Sequence, residues 1–108
     1  MRSIPLLALA MFLLPFCGSA QAQEQTVGQK HKAFTVQKLK VKVGDTVGFR
    51  NDDPYFHNIF SLSQAQSFDL GSYPQGQTRK MTFNKEGKID VECAIHPEMR
   101  MVIEVVPK

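Results

Sequence analysis

Four side chains in this sequence could hold a metal ion. Cys93, His96 and Met99 fall within seven residues, in the run Cys93-Ala94-Ile95-His96-Pro97-Glu98-Met99, and His57 lies well upstream. A thiolate and a thioether are soft donors that favour Cu(I), whereas imidazole suits either oxidation state of copper. Two histidines, one cysteine and a weak axial methionine make the ligand field of a blue-copper electron-transfer site. No position in such a set is left open for a substrate, which argues against catalysis at the metal. Structural zinc sites draw four ligands from Cys and His at other spacings. A c-type haem needs a second cysteine that is not there, and a multicopper enzyme needs more than the three histidines present. A Cys–His nucleophilic pair conflicts with the inward phase of Cys93 in its strand, and nothing marks an oxyanion hole.

The segments that must position these donors read as strands. Leu39, Val41 and Val43 alternate with Lys38, Lys40 and Lys42, and Val47 and Phe49 alternate with Thr46, Gly48 and Arg50. Met81 and Phe83 repeat the pattern, as do Ile89, Val91 and Cys93, and residues 100–106 form a β-rich run. A period of two gives each strand one apolar and one wet face. Gly44-Asp45 and Glu86-Gly87 supply turns. Cys93 closes its strand in phase with Val91, so its sulfur is expected on the core side, and His57 opens a short strand that could stand opposite. Residues 61–67 are expected to make a short helical turn, and residues 51–56 and 72–77 to be loops, with Asp52 and Asp53 serving the first. Residues 23–32 are polar and expected to fray or to form an edge strand. Many short strands with Gly/Pro turns imply a sandwich or barrel. Met101, in phase with Ile103 and Val105, reads as core, and His31 as exposed and unliganded.

The N-terminus carries a different signal. Arg2 is followed by an apolar run and by Ala20-Gln21-Ala22, a small-x-small cleavage site. The run is shorter than the roughly 20 residues of a membrane span. Residues 1–22 are therefore expected to be a removable secretory signal, and residues 23–108 one exported, periplasmic domain. Removing the leader takes Cys17 with it and leaves Cys93 alone, so no internal disulfide can form. A free thiol in an oxidising compartment is protected if a metal holds it. The whole chain carries a formal charge of +3, too little to suggest nucleic acid.

Gly44-Asp45-Thr46-Val47-Gly48-Phe49-Arg50-Asn51-Asp52, then His57-Asn58, then the Cys93-to-Met99 loop resemble a cupredoxin, over about residues 33–107. The Cys-x-x-His-Pro-x-Met spacing is most similar to that of the amicyanins. The resemblance implies an all-β Greek-key β-sandwich of about eight strands, and one mononuclear copper held by His57, Cys93 and His96 in a plane with Met99 axial. It implies that Asn58 steadies the cysteine loop, and that His96, at the solvent edge, passes the electron. Ile95, Pro97, Pro54 and Tyr55 are then candidates for transient docking of redox partner proteins. The expected function is one-electron transport by a monomer, not an enzyme; the competing expectation is copper handling as a chaperone, buffer or resistance protein. Lys30, Lys32, Lys38, Lys40 and Lys42 read as a solvated edge or as steering charges.

Overall fold

A computed structural model describes Ser3 and residues 21–108; the expected leader, apart from Ser3, Gln21 and Ala22, lies outside the described residues. These form nine strands and no helix: β1 (Glu24–Lys30), β2 (Ala33–Phe34), β3 (Lys38–Lys42), β4 (Thr46–Asn51), β5 (His57–Ser61), β6 (Phe68–Tyr73), β7 (Thr78–Thr82), β8 (Gly87–Glu92) and β9 (Arg100–Val106). They make two sheets, in the orders β2-β1-β4-β7 and β3-β9-β8-β5-β6. The pairs β1/β4 and β3/β9 are parallel and the others antiparallel. The chain passes between the sheets after β2, β3, β4, β6 and β7. This is the all-β sandwich that the alternating segments imply, with one strand more than expected because β2 is a two-residue piece.

The alternation is cashed out in the core. Val27, Phe34, Val47 and Phe49 from one sheet meet Val41, Ile59, Ile89, Val91, Ile103 and Val105 from the other, all essentially removed from water. Each such side chain contributes roughly 1.5–3 kcal/mol by burial. Phe34 packs edge-on against Phe49, and Phe68 against Phe83, the geometry their ring quadrupoles favour. Met101 is buried among them, as its phase predicts, and Met81 is half-buried. At the β3–β4 turn Gly44 takes φ +95°, a conformation that costs glycine nothing.

Three local expectations give way. Residues 61–67 are not helical. Ser61 Oγ accepts the amide of Ser63, Ser63 Oγ accepts that of Asp90, and Gln66 spans to Thr82 and Asn84. Such side-chain bonds compete with the helical ladder. Residues 72–73 belong to a strand, β6, rather than to a loop; its pairing with β5 is interrupted between Asn58 and Phe60, and Gly71 adopts φ +74°. That bulged geometry spoils a clean period of two. Finally, β1 does not fray, and it is an edge only over its first part, because the two-residue β2 covers Gln29 and Lys30 alone. It lies between β2 and β4, and Val27, Gly28 and Gln29 are buried in succession. The polar Gln29 is admitted because its Oε1 accepts the Tyr73 hydroxyl from the opposite sheet.

Candidate copper centre

β5 and β8 bring the distant donors together. His57 begins β5 opposite Tyr73 of β6, and its ring is fully buried. Cys93 directly follows β8, which pairs with β9 throughout its length. It keeps the inward phase of Ile89 and Val91, and is buried. The loop from β8 back to β9 is short, and the Met99 amide donates to the His96 carbonyl at 2.9 Å. That turn brings His96 back to the cysteine, and Met99, just before β9, is buried.

Cys93 Sγ lies 3.8 Å from His57 Nδ1 and 3.9 Å from His96 Nδ1, and the two nitrogens stand 3.2 Å apart. At first-row metal bond lengths of about 2.0–2.3 Å, three donors spread around one ion stand about 3.5–3.8 Å from one another. The two S–N edges match that size and the N–N edge, at 3.2 Å, is somewhat shorter, so the triangle is close to the dimensions of a mononuclear site, with imidazole and thiol donors that suit copper. The imidazoles meet edge to face with centroids 4.9 Å apart. Tyr55 packs against both, 5.4 Å from the His57 ring and 5.3 Å from the His96 ring.

The donors are braced by their neighbours. The Asn58 amide donates to Cys93 Sγ at 3.3 Å. The Asn58 side chain accepts from the Ala94 amide at 3.4 Å and donates to Asp69 Oδ1 at 3.1 Å. Asn58 thus bridges β5, β6 and the cysteine loop, where the resemblance puts it. His57 Nε2 faces Asp53 Oδ2 at 2.7 Å. Burial alone would push the Asp53 carboxyl up, but hydrogen bonds from His57 and from the amides of His31 and Lys32 outweigh it and hold it below the usual range. This carboxylate is the site residue that sequence reading missed. Asp52-Asp53-Pro54 reads as turn chemistry, and the Asp52 side chain pairs with the exposed Arg50 at 2.8 Å. The one available signal was chemical: a metal-bound histidine commonly gives its other N–H to a carboxylate, and Asp53 is a nearby acid.

His96 is half-buried, whereas His57 and Cys93 are fully enclosed. Ile95, Pro97, Pro54 and Phe56 are exposed, whereas Tyr55 is half-buried against the two rings. His31 is exposed at the β1–β2 turn, outside the cluster. An open groove on β3, β8 and β9, lined by Lys38, Lys40, Lys88 and Glu104, lies away from this cluster. Among the described residues no helix is long and apolar enough to cross a membrane.

Comparison with known proteins agrees with this geometry. Residues 21–107 match the family model of copper binding proteins of the plastocyanin/azurin family. The methylamine utilization protein MauL of Methylorubrum extorquens is 31% identical over 102 residues, covering 94% of this chain and 90% of that protein. A Cu(I) structure of an amicyanin variant superposes with a TM-score of 0.72 at 26% identity, covering 77% of this chain and 82% of that one. The copper-containing nitrite reductase of Thermus scotoductus superposes with a TM-score of 0.73 at 26% identity over 79% of this chain, which spans only 23% of the enzyme. A sandwich that folds around one thiolate and two imidazoles, matched along nearly its whole described length, thus belongs to the plastocyanin/azurin family of copper proteins, the cupredoxins, and its cofactor is copper.

Proposed function

We propose that this cupredoxin is a one-electron carrier working outside the cytoplasm, in the periplasm, as a monomer. His57 Nδ1, Cys93 Sγ and His96 Nδ1 would hold the copper, with the Met99 thioether as a fourth, weaker donor. Copper supplies a Cu(I)/Cu(II) couple when bound; the chain supplies a donor set that need not rearrange. The observation that carries this reading is the prepared triangle of donors, buried on two of its corners and open at His96. Because β5, β8 and the hydrogen bonds of Asn58 already fix the donors, little has to move when the electron arrives or leaves. With four donors from the protein, no position is free for a substrate, so the chain is a carrier rather than an enzyme. The electron passes through His96 to a partner that docks briefly on the exposed Ile95, Pro97 and Pro54 and on the neighbouring Tyr55. A small apolar contact of that kind suits a short-lived redox encounter. A copper-handling protein needs donors that an acceptor can reach, and here Cys93 and Met99 are both shut away from solvent.

The test is a titration of the purified protein with Cu(II). One equivalent is expected to raise an intense thiolate-to-copper band in the visible, bleached by ascorbate and restored by oxidant. Cys93→Ser is expected to abolish that band and to remove the rise in melting temperature that copper gives by linkage. A visible spectrum unchanged by Cys93→Ser would refute the ligand set. Rapid loss of copper to a competing apo-protein would turn the reading to copper handling.

A further inference from the structure

The geometry points to Asp53 as the positioning residue of the copper site, holding His57 in its Nε2–H form and biasing the metal toward Cu(II). The β1–β2 turn exists in its strained shape to hold that carboxylate. This inference rests on the copper reading above and adds to it a residue and a direction of redox tuning.

The carboxylate is almost wholly enclosed, with its side chain only 4% exposed. Oδ1 accepts the His31 amide at 2.8 Å, and Oδ2 accepts the Lys32 amide at 3.1 Å and faces His57 Nε2 at 2.7 Å. The Asp53 amide donates to Asn51 Oδ1 at 2.8 Å, and Asn51 Nδ2 donates to the carbonyls of Tyr55 and Tyr73. The loop before His57 is therefore tied down at Asn51, Asp53 and the Tyr55 carbonyl. A carboxylate that accepts the Nε2 proton leaves Nδ1 with its lone pair directed at Cys93 and His96, the only face from which a metal can be bound.

The turn that grips Asp53 is unusual. His31 and Lys32 sit at φ 55° and 56°, between the paired residues Lys30 and Ala33. A two-residue hairpin turn with both φ positive is normally built from Asn and Gly, and other residues pay roughly 1–2 kcal/mol each. In this shape two successive amides point to one side, an anion-binding nest, and the anion they bind is Asp53. Two amides and a turn would satisfy an ordinary structural aspartate. The third partner, a buried metal-ligand histidine, is what a structural role does not require.

Charge gives the direction. With Cys93 as thiolate and Asp53 as carboxylate, Cu(II) makes the enclosed group neutral, and Cu(I) leaves it with one uncompensated negative charge. Burying an unpaired charge is costly, so Asp53 favours the oxidised state. Of the other acids near the ligands in sequence, Glu98 is exposed and screened by water and salt, and the half-buried Glu92, next to Cys93, is paired with Arg100 at 3.4 Å.

The experiment is Asp53→Asn in the copper protein, read by competition titration with Cu(II) and Cu(I) and by redox titration of the visible band. The expected result is a coloured protein whose Cu(II) affinity falls 10–100-fold, whose Cu(I) affinity falls less, and whose potential rises by about 59 mV for each tenfold difference. A folded, coloured variant with an unchanged affinity ratio and potential would overturn the role of Asp53 and leave the copper reading standing. An unsubstituted protein with no thiolate-to-copper band would overturn both. If Asp53→Asn does not fold, nitrogen-15 NMR of the unsubstituted Cu(I) protein decides. A slowly exchanging His57 Nε2–H is expected, and a His57 Nε2 without a proton, or with one lost at once to solvent, would overturn the inference.

Discussion

The two ends of β4 carry the same device put to different uses. Asp45 stands just before β4 and Asp53 two residues after it, both are buried, and each carboxylate accepts two backbone amides from other segments. Asp45 takes the amide of Gln23, immediately before β1, and that of Lys42, at the end of β3, each at 2.9 Å. Asp53 takes those of His31 and Lys32, immediately after β1. Together they staple both ends of β1 to both ends of β4, along which β1 runs parallel from Glu24 opposite Thr46 to Gln29 opposite Asn51. Parallel pairing has no tight turn to set its register, so the two staples do that work. The far-end staple stops there. The site-end staple adds His57, and so a fold-determining contact becomes a contact to a metal ligand.

The comparison can be broken by exchanging the consequences. Asp53→Asn, with its 10–100-fold loss of Cu(II) affinity, is the largest expected effect and falls on the metal. Asp45→Ala is next, and should fall on the fold alone. Two buried amides lose a charged acceptor, and the melting temperature should drop on the order of 10 °C, while the visible band and the potential stay as they were. A shifted potential in Asp45→Ala would mean that both staples reach the site only through β1.

Acid titration sharpens the far end. Hydrogen bonds from the Gln23 and Lys42 amides hold the Asp45 carboxyl below its usual 3.8, against a smaller opposing effect of burial. A group with a lowered folded pKa contributes stability that is fully present above its unfolded value and is lost as pH falls through its folded value. Thermal melts of the protein against Asp45→Asn should therefore show a gap that is constant above about pH 5 and closes below about pH 4. A gap that widened in acid would have the wrong sign for this staple.

The smallest effect is expected at the turn. His31→Asn together with Lys32→Gly keeps both amides on Asp53 while relieving two strained φ angles. The double variant should melt slightly higher than the parent with an unchanged potential, since the carboxylate and His57 are untouched. A fall in stability would mean that the His31 or Lys32 side chain, such as the Lys32 ammonium 5.5 Å from the Tyr55 ring, matters more than the backbone shape.

Legibility in the sequence followed the range of the interaction. The alternation of β3, β4, β8 and β9 is local, and each strand's inward face could be named residue by residue. The Cys93-to-Met99 loop is local too, and its donor types limit the metal by their chemistry. β6 was hidden because a bulge and a positive-φ glycine break its period, and the burial of Val27, Gly28 and Gln29 in β1 because it follows from what packs over them. Asp53 was hidden in plain sight, in a segment whose composition spells turn.

The sequence by itself determined the donors, their softness, and the alternating faces that make a sandwich, because these depend on residue type and on neighbours one or two positions away. The tertiary structure alone decided that β2 closes over the end of β1, that Gln29 and Tyr73 meet across the core, and that His57 has a carboxylate behind it. Those facts depend on which side chains from distant segments the closing sheets bring together, and a buried polar atom is satisfied only by a partner so placed: Gln29 Oε1 has one and Gln29 Nε2 does not.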